Sequence, residues 1–223
     1  VTPLVTIFSG VGLSMLIAAP IGAAASQVGT LIMWATEQAP LVMGILVSVI
    51  VGVALTLPIS SAAICAALGL TGLAGGAAVA GCCAQMIGFA VMSYKENGVG
   101  GLVSQGLGTS MLQMGNIVKN PRIWIAPTLA SAITGPLATC VFHFEMNGAA
   151  VSSGMGTCGL VGQIGVYTGW ISDIAAGVKT AITPMDWAAM VLLCFVLPAV
   201  LSVIFCEVER KMGWIKEGDL KLN

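Results

Sequence analysis

The sequence predicts an all-α, polytopic integral membrane protein whose transmembrane helices are interrupted by Gly-rich broken or re-entrant segments. Three observations predict it. Only 8% of the 223 residues are charged against 57% hydrophobic, with a mean hydropathy of +1.01, whereas a soluble domain carries about a quarter charged residues. Nothing is charged before Glu37 or between Glu37 and Lys95, stretches hard to explain outside a bilayer. Glycine is concentrated in apolar segments too rich in small residues to face lipid, which suits them to pack backbone to backbone.

The elements follow in order. A helix needs about 20 apolar residues to cross the hydrocarbon. Residues 4–19 are one candidate, closed by Pro20, and residues 21–36 are small and apolar up to an interfacial stop at Trp34 and Glu37. Residues 40–57 form a clear span rich in Val, Ile and Leu, ended by Pro58. Residues 58–81 turn to Gly, Ala and Ser, residues 82–92 continue apolar, and a polar loop is expected over 93–98. Residues 100–114 are again short and Gly-rich. Residues 123–142 make a third convincing span, with Trp124 where an aromatic belt would put it, and a last span covers 187–205. Four or five full spans and two or three broken segments are expected, with a transmembrane domain over 1–206 and a charged tail over 207–223.

Four of the eight basic residues, Arg210, Lys211, Lys216 and Lys221, lie in that tail, so the positive-inside bias places it in the cytoplasm. A formal net charge of −1 argues against a nucleic-acid partner, which needs a dense basic face. The seven cysteines are an odd number in apolar runs, so a disulfide framework is not expected. One histidine without clustered carboxylates supplies no metal ligand set, no cofactor is expected, and no serine has a base nearby in sequence. The opening Val1 and the absence of a basic n-region do not read as a signal peptide.

The run SSGMGTCGLVGQIG (152–165) contains Gly154, Gly156 and Gly159 in the spelling G-x-G-x-x-G, with Asp173 downstream. That fingerprint cradles a pyrophosphate only after a strand and before a helix of a βαβ unit. Here it follows an apolar span and a polar cluster, so the nucleotide reading fails. Dense glycine instead permits bent backbone at membrane depth, which survives where protein or a water-filled cavity surrounds it. A re-entrant hairpin lining a pathway and a close helix-packing surface both remain open. The run also has an echo. Gly106-Leu107-Gly108-Thr109-Ser110 and Gly154-Met155-Gly156-Thr157-Cys158 read G-[LM]-G-T-[SC], each followed by a Gln and preceded by a charged-plus-Asn cluster. Transporters built from repeats place Gly-interrupted segments at matching positions.

Three stretches carry a resemblance to a known family: PISSAAICAALGLTGLAGGAAVAGCCAQMIGFAVMSYKENGVGGL (58–102), QGLGTSMLQMGNIVKNPRIWIAPTLASAITGPLATCVF (105–142) and SSGMGTCGLVGQIG (152–165). They resemble the IIC-like membrane components of the sugar phosphotransferase system, the group that includes perfringolysin-regulator-type proteins. The resemblance covers most of residues 40–170. It implies a location in the bacterial cytoplasmic membrane, a homodimer, and a chain corresponding to the C-terminal part of a longer protein or to a shortened member. It also implies a sugar bound by a His and a Glu near a re-entrant hairpin, then phosphorylated by a separate IIB domain. With no IIA or IIB domain here, that step would be supplied by soluble partners, and the regulator type offers a sensor with little transport as the alternative.

The residues expected to line the solute site are ranked by chemistry. Glu145 leads, because a carboxylate at depth must be paired or line water and can accept from two neighbouring sugar hydroxyls. His143 can hydrogen-bond a ligand or relay a proton, and would share a face with Glu145 on an extended stretch but not on a helix. Asn147 completes the cluster, with Gly154, Gly156, Thr157 and Gln163 from the Gly-rich run. Lys95, Glu96 and Asn97 are candidates as well, against the reading of a solvated turn ending at Gly98. Such a site would take a small polar solute, sugar or sugar-like, in contact with membrane lipid all round.

Overall fold

The computed structural model describes the backbone of residues 2–222 and the side chains of residues 7, 11 and 22–222. Helix α1 (Thr2–Gln38) is continuous, which corrects the break expected at Pro20. A proline removes one backbone hydrogen bond, and helices in membranes tolerate that where neighbours re-satisfy the freed group. Helix α2 (Pro40–Thr56) starts with proline at its first position, where no N–H is needed. Ser60 then caps α3 (Ser61–Leu68) by accepting from the Ala63 N–H at 3.2 Å, and Gly69 closes it in the left-handed conformation at φ 63°, where a Cβ would be strained.

Helix α4 (Gly72–Met92) is a single element of 21 residues, so the Gly-, Ala- and Ser-rich segment read over 58–81 is shared between α3 and α4, and its second half is continuous with residues 82–92. It is the spine of the molecule. Every residue from 74 to 86 is buried, with α2 on one flank and the 125–136 helix and the C-terminal helix on others. Small residues make that possible. A Cβ on Gly52 would stand 2.7 Å from the Gly81 carbonyl oxygen, and one on Gly81 would strike the Ser48 backbone, so α2 and α4 meet main chain to main chain.

The expected polar loop at 93–98 is instead the first turn of α5 (Tyr94–Val103), kinked at Gly98 with φ 59°. The Gly-rich segment after it breaks as expected: a π-helical turn (Ser104–Gly108), a 3-10 turn (Ser110–Gln113) and the short α6 (Met114–Lys119). A 3-10 turn at Pro121–Trp124 leads into α7 (Ile125–Pro136), prolonged by a π turn to Val141. Residues 152–165 are not one straight helix. Two 3-10 turns (Ala150–Gly154 and Cys158–Leu160) precede α8 (Val161–Ala175), and Leu160 holds φ 58° between them. Helix α9 (Pro184–Val191) continues through a π turn into α10 (Leu197–Lys211).

Among the described residues three continuous helices are long and apolar enough to cross a membrane: Gly72–Met92, Pro121–Val141 and Pro184–Lys211. The apolar α2 has 17 residues. The only bridge of β type among the described residues pairs Gly72 with Met146, so the fold is all-α. The seven cysteines are free thiols.

A polar seam crosses this apolar interior. Buried Gln85 of α4 receives the Trp124 indole N–H at 3.0 Å and the Thr56 hydroxyl at 3.3 Å, and its own amide reaches Thr128 at 3.3 Å. Buried polar groups hold their place only when partnered in this way.

Candidate functional site

The site is built where the span 121–141 ends. His143 turns the chain at φ 43°, and residues 144–147 then run extended. The Phe144 N–H donates to the Ala138 carbonyl at 2.8 Å, and Met146 exchanges two 3.0 Å backbone bonds with Gly72. Phe144 and Met146 are buried in the core, while Glu145 between them and His143 at the turn are exposed and line one cavity. Gly76 of α4 leaves the space that the Phe144 carbonyl occupies, which presses the strand against the spine.

Helix α8 supplies the opposite wall. Its Trp170 and Asp173 are one turn apart and face the same cavity, of about 280 Å³, as Phe142, His143 and Glu145. Asn147 ties the two walls together, its Nδ2 donating to Glu145 Oε2 at 3.1 Å and to Asp173 Oδ2 at 2.9 Å. Close approach of that loop to α8 requires Gly169, where a Cβ would stand 2.8 Å from the Gly148 nitrogen.

The third wall begins at α9. Thr183 and Asp186 form a capping box, in which Asp186 Oδ2 accepts from the Thr183 N–H at 2.7 Å, the reciprocal arrangement that fixes a helix start. Asp186 also pairs with Lys179 Nζ at 2.6 Å, and that ammonium lies 5.3 Å from the centroid of the Trp170 ring. Trp187 meets Trp170 edge to face at 5.5 Å. The cavity therefore has an aromatic wall with three carboxylates, one imidazole and one ammonium, and Asn147 braces two of the carboxylates. Such a set can stack the C–H face of a ring and accept hydrogen bonds from several hydroxyls.

The structure brings His143, Glu145 and Asn147 together. It buries the other members of the expected site behind them. Gly154 lies against the Ser61 backbone, whose hydroxyl donates to the Gly154 carbonyl at 2.7 Å. Gly156 lies against α4, where a Cβ would be 2.7 Å from that of Cys82. Thr157 donates to the Gly106 carbonyl at 2.6 Å, so the two echoed segments touch each other. Gln163 donates to Cys83 Sγ at 3.2 Å, and its buried Oε1 has no partner among the described residues.

Lys95, Glu96 and Asn97 sit elsewhere. Helix α4 separates them from the cavity by its full 21 residues, about 30 Å at 1.5 Å per residue. They hold down the chain's end: Glu96 pairs with Arg210 at 2.9 Å and accepts the Leu220 N–H at 3.0 Å, while Asn97 donates to the Leu220 carbonyl and accepts from the Leu222 N–H, both at 2.8 Å. Lys95 pairs with Glu207 at 3.0 Å.

Trp170, Asp173, Lys179 and Asp186 escaped the sequence reading. The i, i+3 spacing of Trp170 and Asp173 on one helix face was an available signal. The T-P-M-D helix start was another.

The described residues form an all-α bundle of membrane-protein type, with helices long and apolar enough to cross a bilayer and a polar, aromatic-walled cavity at one end. The chain belongs to the family described as "Phosphotransferase system, EIIC", which matches over residues 1–222. It is thus a membrane permease component of a sugar phosphotransferase system, a family that implies soluble IIA and IIB components and a sugar-type solute. No curated protein and no solved structure matches the chain.

Proposed function

We propose that this chain binds a sugar or sugar-like solute in the cavity between the 143–147 strand, α8 and α9, and moves it across the membrane by alternating access. The observation that carries the reading is Asn147 bridging Glu145 and Asp173, which line one cavity with Trp170. Carboxylates beside an aromatic face recognise vicinal hydroxyls above and ring C–H groups below. Glu145 is the principal acceptor, His143 and Asn147 adjust to the hydroxyl pattern, and Asp173 joins them.

Gly154, Gly156, Thr157 and Gln163 form the next layer inward, where broken backbone and the free Gln163 Oε1 would meet a solute leaving the cavity. Lys95, Glu96 and Asn97 bear on the opposite end. If the basic tail is cytoplasmic, as its lysines and arginines favour, the cavity opens to the outside of a bacterial cytoplasmic membrane. The tail-bearing end would then receive soluble IIA and IIB partners, within a homodimer.

The test is binding of simple sugars to the purified protein in detergent, by thermal shift and calorimetry. Glu145→Gln is expected to abolish binding while the folded oligomer remains. Wild-type affinity in that variant would defeat the assignment. Flux into proteoliposomes separates a carrier from a sensor, since a sensor binds without transport.

A further inference from the structure

We infer that the solute is an amino-bearing polyol, a protonated amine close to ring hydroxyls, and that anionic sugars are excluded. This rests on the cavity being the solute site. The cavity is lined by three carboxylates, Glu145, Asp173 and Asp186, and by one ammonium, that of Lys179. Lys179 is committed to Asp186 at 2.6 Å. Glu145 and Asp173 are left facing each other across Asn147, whose single amide nitrogen donates to both. An amide supplies hydrogen bonds but no charge. Two carboxylates drawn together by a neutral group repel, and a cation placed between them relieves that repulsion. The second oxygen of each has no hydrogen-bond partner among the described residues, so both can accept from a ligand ammonium while Asn147 stays in place.

A second observation, on the aromatic wall, points to the same chemistry. The cavity already holds an ammonium of its own: Lys179 Nζ lies over the Trp170 ring at 5.3 Å, the arrangement by which aromatic faces bind cations. The pocket thus holds a cation on its aromatic wall and leaves two carboxylates beside it unneutralised. A neutral sugar fits the hydroxyl acceptors and leaves the charge unmatched. A sugar acid or phosphate would set its charge against the carboxylates.

The experiment compares glucosamine, glucose and glucuronate binding to the detergent-purified chain at low salt, with glucosamine protonated. Glucosamine is expected to bind about tenfold or more tighter than glucose, the effect of one charge-assisted hydrogen bond, and glucuronate weakest. The glucosamine-to-glucose ratio should fall towards one in Asp173→Asn. Lys179→Met, which vacates the Trp170 face, should tighten glucosamine. Glucose binding as tightly as glucosamine would overturn the inference and leave the sugar site standing. The inference also falls if sodium raises glucose affinity to the glucosamine level, because the carboxylates would then serve a metal cation. Weaker glucosamine binding in Lys179→Met would sink it as well. Failure of all three sugars to bind would remove the site itself.

Discussion

Gly169→Ala tests whether the site depends on how closely its loop approaches α8. A Cβ at this position would stand 2.8 Å from the Gly148 nitrogen and 2.9 Å from the backbone N and C of Asn147, whereas ordinary contact begins near 3.4 Å. The backbone of Asn147 must therefore retreat by about 0.5 Å to reach normal van der Waals separation. Asn147 Nδ2 begins 2.9 Å from Asp173 Oδ2, so the same retreat carries it to about 3.4 Å, where little of a hydrogen bond is left. With that bond gone Asn147 no longer holds Glu145 and Asp173 in register, and a site misaligned in this way is expected to bind sugar roughly tenfold or more weakly. Stability should change less. Overpacking costs about 1–3 kcal/mol, and the better helix propensity of alanine offsets up to about 1 kcal/mol of it. The prediction is a variant that unfolds within a few degrees of wild type yet binds at least about tenfold more weakly. The assay pairs calorimetric sugar binding with thermal unfolding in detergent. Gly100→Ala is the control, because a Cβ there meets nothing within 4 Å. Wild-type affinity in Gly169→Ala would show that the Asn147 bridge is not needed, and the account of the site would fail.

Three further outcomes are expected at the other levels of the fold. Glu96→Gln breaks the ion pair with Arg210, whose side chains are 10% and 17% exposed. The loss is about 3 kcal/mol and should speed trypsin cleavage at Lys211 and Lys216; unchanged cleavage would mean the tail is held by other contacts. Gln85→Leu strands the Trp124 indole and the Thr56 hydroxyl, lowering stability by about 1–3 kcal/mol, and an unshifted unfolding midpoint would refute it. Thr157→Val removes the 2.6 Å bond to the Gly106 carbonyl at a similar cost. That loss should appear as faster hydrogen exchange in both Gly-rich segments; exchange confined to one of them would argue against their coupling.

The fold class was legible because lipid imposes a simple rule: charge is excluded and backbone must satisfy itself. That rule located the spans at 40–57, 123–142 and 187–205, which match helical elements of the structure. It misread α4, because a helix buried among other helices carries no lipid-facing signature. The Gly, Ala and Ser content of 58–81 read as one segment, whereas the chain breaks at Gly69 and starts α4 at Gly72. The site was half legible. Glu145, His143 and Asn147 stood out as isolated polar residues beside a span, but the left-handed turn at His143 was neither the extended stretch nor the helix considered for it. Helix spacing and the T-P-M-D start could have flagged Asp173 and Asp186, but that Asp173 meets Asn147, 26 residues away, was set by the fold. Lys95, Glu96 and Asn97 are a charged-plus-Asn cluster like His143, Glu145 and Asn147, so no composition argument could tell the tail-fastening cluster from the cavity cluster.

One helix ties these parts together. The N-terminal turns of α4 hold the site strand through Gly72 and Gly76. Its middle meets the second Gly-rich segment at Cys82, Cys83 and Met86. Its C-terminus is joined to the first by Ser93, whose hydroxyl accepts from Gln105 at 2.7 Å. Between those points the broken segments touch through Thr157 and Gly106. A displacement of the 143–147 strand is therefore not absorbed locally, since close-packed interiors transmit strain. It has a contiguous path of backbone-tight contacts to both broken segments and onward to Gln105, which in turn accepts from Gln113, the residue that grips the Leu220 carbonyl. The cavity at one end and the tail docked at the other are thus linked through one spine of backbone-tight contacts.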